Sequence, residues 1–266
     1  HNFNMNIAVT TNKLLSISTS ILLLVLVSSC EDNNTSITTD KFTYDDDISD
    51  IVHLNDHFFT TNYDLSNNAG DQIDLLVLNF DDNESVLQNR FSLGLNGQGY
   101  FALASDGVDL FMQSRQTHTI FKVSTVGEIG FLKTDSVSTD WLPSGITHNS
   151  LNDSLIILYR DSHNSSNYRL RELSKSIDES SNSDRTFTLN GVDSTNGALS
   201  ISFKNPNLYI LAWDGTEVVL LTLDYENLTV SSTESLNDSI FVGIDATNDA
   251  IYLSKSDRSI VKLRDF

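Results

Sequence analysis

Residues 205–214 read "NPNLYILAWD": a turn of Asn205-Pro206-Asn207, an uninterrupted apolar run from Leu208 to Trp213, and an acidic stop at Asp214. A run of six apolar residues between turn residues has the length of a strand and is too short for an ordinary helix. Because it does not alternate with polar residues, both of its faces must be covered. The same pattern occurs four more times, as "NDHFFTTNYD" from Asn55, "DGVDLFMQSR" from Asp106, "NDSLIILYRD" from Asn152 and "NDAIYLSKSD" from Asn248. The equivalent core positions Phe59, Phe111, Ile157, Ile210 and Tyr252 are spaced by 52, 46, 53 and 42 residues. The mean is about 48, a repeat of supersecondary size.

Each copy has company. An apolar stretch precedes it, in "DISDIVHL", "GYFALAS", "SGITHNSL", "ALSISFK" and "FVGIDAT", and a further strand follows it, beginning at Ile73, His118, Tyr168, Glu217 and Ser259. Tyr168–Asp178 has helical propensity, but its place in the repeat makes it a strand. Four units add a fourth strand, in "SVLQNRFSL", "EIGFLKT", "RTFTLN" and "LTVSSTESL". A single four-stranded sheet leaves both faces wet, whereas sheets packed side by side around an axis cover one another. Four short strands per unit is the arrangement of a β-propeller. The expected fold is therefore all-β, a propeller of about five four-stranded blades. The fifth unit stops at Phe266 after three strands, and residues 35–44, "TSITTDKFTY", can supply the missing one and close the ring. The competing readings are a piece of a six- to eight-bladed propeller and a β-sandwich.

The amino-terminal region has a different character. Lys13 precedes an apolar run from Leu14 to Val27 that is too short to cross a bilayer comfortably, and Ser28 and Ser29 close it. This order of charge, apolar run and small residues is that of a secretory signal starting at Met5. Val27-Ser28-Ser29-Cys30 resembles the bacterial lipobox, and Glu31-Asp32-Asn33-Asn34 resembles the acidic tether of surface lipoproteins of the Bacteroidota. The resemblance implies cleavage before Cys30, lipid on its sulfur, and a membrane-anchored protein at the outer membrane or cell surface. The expected organisation is a signal peptide over 1–29, a lipidated tether and closing strand over 30–44, and a propeller over 45–266.

All 36 acidic residues and 15 of the 16 Lys and Arg residues lie after Val27. A field of that sign repels phosphate backbones, so nucleic acid is not an expected partner. Cys30 is the only cysteine, so no disulfide supports the domain and its stability must come from a buried core.

Chemical motifs are sparse. There is no His-Glu-x-x-His, Gly-x-Ser-x-Gly, P-loop or Cys-x-x-Cys pair, and no cofactor or metal is expected. "GLNGQG" from Gly94 lies between strands and reads as a loop rather than a phosphate cradle. The histidines, among them His53, His57, His118, His148 and His163, lack ligand spacing. Asp45-Asp46-Asp47 with Asp50, and Asp81-Asp82, have the chemistry of a calcium site without its pattern, and read as solvated acidic loops. Four Asp-Ser pairs, at Asp135, Asp153, Asp193 and Asp238, resemble a short O-glycosylation acceptor that this composition also produces by chance.

If the units are blades, the ends of the second strands gather around one mouth of the central channel. That places Tyr63, Arg115, Tyr159, Arg160, Trp213, Asp214 and Lys255 there as candidate ligand-binding residues. Rings offer faces to sugars or peptide side chains, and guanidinium forks suit carboxylates. The bland alternative packs Tyr159 and Trp213 between blades. The expected function is a non-catalytic, lipid-anchored module for a glycan or protein partner. The alternative is a polysaccharide hydrolase or lyase with two carboxylates in the channel.

Overall fold

The computed structural model describes residues 38–41, 47–63, 72–81, 84–96, 101–175, 182–193, 197–236, 241–247, 249–255 and 259–264. Residues 1–37 lie outside the described residues, and with them the expected signal sequence and Cys30. The described strands form five antiparallel four-stranded sheets.

The first sheet holds β2 (Asp47–Leu54), β3 (His57–Tyr63), β4 (Gln72–Asp81) and β5 (Glu84–Asn96). The second holds β6 (Phe101–Ser105), β7 (Leu110–Ser114), β8 (Thr119–Val123) and β9 (Ile129–Thr134). The third holds β10 (Trp141–Asn149), β11 (Ser154–Asp161), β12 (Asn167–Ser174) and β13 (Asn182–Thr188). The fourth holds β14 (Ala198–Lys204), β15 (Asn207–Trp213), β16 (Val218–Asp224) and β17 (Thr229–Ser235). In the fifth, β18 (Phe241–Ala246), β19 (Ala250–Lys255) and β20 (Ser259–Arg264) are completed by β1 (Thr38–Lys41). Thr38 stands opposite Lys262 and Lys41 opposite Ser259, so a strand from before the first blade finishes the last one.

The core consists of five apolar clusters, one between each pair of neighbouring sheets. The cluster that joins the last sheet to the first, around Ile51, Phe58, Tyr252 and Ile260, closes the circle. A sandwich of two layers has no such fifth interface, and the structure is a five-bladed β-propeller.

This packing explains the unbroken apolar runs. Along β11, Leu155, Ile157 and Tyr159 face the second sheet while Ile156 and Leu158 face the fourth, and all five are fully buried. Successive side chains of a strand point to opposite faces, and here both faces meet a neighbour. Each such Leu or Ile contributes roughly 1.5–3 kcal/mol of burial. The outermost strand β17, paired with β16 at the rim of its sheet, is exposed along its whole length.

The first-to-second strand turns use the residue types their backbones require. Asn55 and Asp56 have φ of 51° and 62°, and Asp153 has 56°, a left-handed region that Asn and Asp tolerate.

Candidate functional site

The innermost strands β2, β6, β10, β14 and β18 line the central channel. Four of them carry an irregularity near their start, at Ile48/Ile51, Pro143/Gly145, Ala198/Ser200 and Phe241/Gly243. Small residues at these bulges let the strands approach closely. A Cβ on Gly145 would stand 3.0 Å from the Ile201 nitrogen, and one on Gly243 would stand 2.5 Å from Asp50 Oδ1.

Asp50 fills the waist these residues leave. Its Oδ1 accepts the Ile51 N–H at 2.9 Å and the Ser200 hydroxyl at 2.9 Å, and its Oδ2 accepts the Leu103 N–H at 3.1 Å. One carboxyl group from the first sheet thus bonds to the second and the fourth. Burial pushes its pKa up to about 6, against the pull of the Arg115 charge and its hydrogen-bond donors.

Two residues further along the strands is a second layer. Asp245 Oδ2 accepts the His53 N–H at 2.7 Å, and the Ser202 hydroxyl lies 3.4 Å from Oδ1. Ser202 itself accepts the Ala246 N–H at 2.9 Å. Burial drives the Asp245 pKa up to about 7, the donated N–H lowers it, and the nearby Asp50 charge raises it further. The Asp245 side chain is only partly covered, because it lines a cavity.

That cavity, of about 460 Å³, occupies the mouth where the innermost strands end. Each blade contributes to its wall: His53 from β2, Ser105 from β6, His148 from β10, Lys204 from β14 and Asp245 from β18. The His53 ring packs against Phe58 at 5.0 Å and stacks on Tyr252 at 6.0 Å, and desolvation lowers its pKa. His148 Nε2 lies 2.9 Å from Asp153 Oδ1. Lys175 Nζ in turn is 2.5 Å from carboxylate oxygens of both Asp153 and Asp106, tying together the turns beside the mouth.

The candidate residues taken from the ends of the second strands lie at the opposite end of the channel. Tyr63 ends β3, opposite Asp47, and its side chain is outside the described residues. Arg115 follows β7 and crosses the channel to donate from Nη2 to the Leu199 carbonyl. Tyr159 is wholly buried; its hydroxyl donates to Asp135 Oδ2 at 2.6 Å, and its ring stands in the core between the second and third sheets. That is the packing alternative for this residue. Arg160 lies over Gly197, whose added Cβ would meet the guanidinium at 2.8 Å. Trp213 packs half-buried against the core between the fourth and fifth sheets. Asp214 accepts the N–H groups of Thr216 and Glu217, a turn closed on itself. Lys255 Nζ is 5.1 Å above the Phe241 ring.

Asp45 and Asp46 of the acidic run fall outside the described residues, as do Asp82 and the side chain of Asp81. Gly94 to Asn96 complete β5, and the remainder of the glycine-rich stretch is also outside them. Among the described residues no three His, Cys, Asp or Glu side chains converge as metal ligands, and no helix is long and apolar enough to cross a membrane.

Neither a family model nor a curated protein matches the sequence. Among solved structures the chain is similar to the glutaminyl cyclase of Myxococcus xanthus, at 15% identity, over 85% of this chain and 93% of that one, with a TM-score of 0.57. It is also similar to virginiamycin B lyase of Staphylococcus aureus, at 16% identity over 82% and 66% of the two chains with a TM-score of 0.44. A Bacteroides thetaiotaomicron protein of unknown function aligns at 12% identity over 79% and 56%, with a TM-score of 0.48. At such identities the first likeness is one of fold, and it agrees with the ring described above.

Proposed function

We propose that the chain is an exported, lipid-anchored propeller that binds a glycan or protein partner without transforming it, and that the ligand group enters the cavity at the channel mouth. The observation that carries this reading is the mouth itself. Ligand sites are concave, roughly 300–1,000 Å³ in volume, with a few convergent polar groups, and this cavity of about 460 Å³ draws polar side chains from all five blades. The lipobox-like Val27-Ser28-Ser29-Cys30 supports the anchor, with the sulfur of Cys30 as the attachment point.

The pair Asp50 and Asp245 gives the hydrolase or lyase reading a specific observation, since two interacting carboxyl groups do lie in the channel. A glycosidase needs both of its carboxyl groups at the substrate. Asp50 is 1% exposed and its oxygens are occupied by three protein donors, whereas Asp245 reaches the cavity. One available carboxyl group favours binding over hydrolysis.

The test is a glycan and protein-ligand screen with the full chain in mild detergent, alongside Ser150→Trp, which places a large ring on an exposed turn at the mouth. Binding that is lost in Ser150→Trp supports the reading. Binding unaffected by Ser150→Trp would move the site elsewhere, and cleavage of a bound polysaccharide would replace binding with catalysis.

A further inference from the structure

We infer that the channel mouth docks a protein partner through one of the partner's lysine side chains, whose ammonium reaches Asp245 inside the cavity while flanking aliphatic side chains rest on Val108 and Leu151 at the rim. This rests on the reading of the mouth as the ligand site and selects a protein over a glycan.

Asp245 lines the cavity, and every group that donates to it is neutral. Its Oδ2 accepts the His53 N–H at 2.7 Å, the Ser202 hydroxyl lies 3.4 Å from Oδ1, and the Ala246 N–H also acts on it. The charge that acts on it in the channel is that of Asp50 below, of the same sign. A carboxylate has about four acceptor positions, so a donor arriving from the cavity still finds one. Because both oxygens are already engaged, a compact ammonium fits better than the planar fork of a guanidinium, which needs two oxygens side by side. In a cleft walled by protein the low dielectric strengthens that attraction.

The cations near the mouth are engaged elsewhere. Lys204 stands two residues beyond Ser202 on β14, about 7 Å farther along the strand, and has an interaction of its own. Lys175 is held between Asp106 and Asp153, and His148 is bonded to Asp153. Desolvation keeps His53 neutral above its lowered pKa. The five turns that join first to second strands carry Asp56, Asp106, Asp109, Asp153 and Asp249 and no Lys or Arg. Lys122 and Lys175 meet three of these acids, so the acids outnumber the cations that meet them. A basic segment is therefore drawn toward this face, in a chain whose net charge is −20.

The rim also offers apolar surface. Val108 and Leu151 are 73% and 61% exposed, and their chain neighbours Gly107 and Ser150 line the cavity. Lys175 ties the two turns together through Asp106 and Asp153, which holds the two side chains on adjacent, linked loops. One exposed aliphatic residue is ordinary, but two on linked turns beside a cavity form a contact surface. A sugar would look for a ring face instead. Among the described residues that line the cavity there is no Trp or Tyr, and Phe203 is only 7% exposed.

The test is calorimetric titration of the full chain in mild detergent, at about 150 mM salt to screen non-specific attraction to the acidic surface. The pH is 8.0, above the value of about 7 to which burial raises the Asp245 pKa. The probes are the N-acetylated tripeptide amide Leu-Lys-Leu, the same peptide with its lysine Nζ acetylated, and 6-amino-6-deoxy-D-glucose. Leu-Lys-Leu should bind at least tenfold tighter than the acetyl-lysine peptide, and Asp245→Asn should abolish that preference without lowering the melting temperature. Val108→Ser combined with Leu151→Ser should weaken Leu-Lys-Leu about fivefold at an unchanged melting temperature. Equal binding of the two peptides, or a preference that survives Asp245→Asn, overturns the ammonium and leaves the mouth as a site for other ligands. An amino sugar that binds as tightly as the peptide, or rim variants without effect, overturns the protein partner. Absence of binding by every probe overturns the inference and leaves the mouth to the wider screen. Peptide binding that persists in Ser150→Trp overturns the mouth as the site, and the inference with it.

Discussion

The Ser200 hydroxyl donates to Asp50 Oδ1 at 2.9 Å, joining the fourth sheet to the first across the channel. Both residues are buried, so no water replaces the bond when it is removed. A hydrogen bond to a charged acceptor contributes about 2 kcal/mol. Ser200→Ala should lower unfolding stability by about that amount at pH 8, measured by denaturant titration, and by less at pH 5, where the carboxyl is protonated. An equal loss at both pH values would show that Asp50 is not ionised in the folded protein at pH 8.

The two channel carboxyls give stability an uncommon dependence on pH. Their folded pKa values, about 6 for Asp50 and about 7 for Asp245, lie above the 3.8 of an unperturbed aspartate. The folded state therefore holds these protons more tightly than the unfolded state. Their contribution is complete below about pH 4 and is lost as pH rises through 6 and 7. Asp106, whose pKa is lowered by backbone N–H groups and by Lys175, and Asp153, whose pKa is lowered by Lys175 and His148, act in the opposite direction and lose their contribution as pH falls below about 4. The melting temperature should therefore be higher at pH 5 than at pH 8. Asp245→Asn mimics the protonated carboxyl and should reduce that difference, adding on the order of 3 kcal/mol at pH 8. A wild-type melting temperature that rises steadily from pH 5 to pH 8 contradicts this.

Gly243 exists for space. An added Cβ would stand 2.5 Å from Asp50 Oδ1 and 2.7 Å from the Asp50 Cα, and the second of these is backbone that cannot rotate away. Gly243→Ala should cost about 2 kcal/mol or more by overpacking. Gly145→Ala, with its nearest contact at 3.0 Å, should cost less. Chemical denaturation of the two variants side by side checks the order.

Tyr159 distinguishes a packing role from a ligand role. Its hydroxyl holds Asp135 Oδ2, while Arg171 Nε lies 3.0 Å from Oδ1 of the same buried carboxylate. Tyr159→Phe should cost about 2 kcal/mol of stability and leave ligand affinity unchanged. A loss of affinity at unchanged stability would return Tyr159 to the ligand site.

Much of the ring was legible in the residues. The turn-plus-apolar pattern marks all five second strands, and the stretch "DISDIVHL" has the bounds of β2, Asp47–Leu54. The strand missing from the fifth unit is expected in residues 35–44, and β1 lies there. The repeat works because a blade covered on both faces writes itself as an unbroken apolar run, as β11 and β15 do.

The mouth was not legible, for a physical reason. The ends of the second strands carry the conspicuous residues, Arg160 and Trp213 among them. The cavity instead lies at the ends of the first strands, built from Ser105, Thr147, Ser202, Lys204 and Asp245, ordinary types whose importance comes from five separate strands meeting. A signal was present. Aligned first strands place Asp50 where the others have Gly145, Ser200 and Gly243, and a carboxyl among small residues marks the waist of the channel. In the sequence its nearness to the acidic run from Asp45 hides it, since the run reads as a solvated loop.

The ring of five sheets is closed by a strand from before the first blade. Amide hydrogen exchange on the full chain tests it most directly, comparing residues 38–41 with 259–264. Pairing of Thr38–Lys41 with Ser259–Lys262 predicts slow exchange in both segments, and faster exchange at 259–264 when residues 1–44 are deleted. Rapid exchange at 38–41, with 259–264 indifferent to that deletion, would contradict closure.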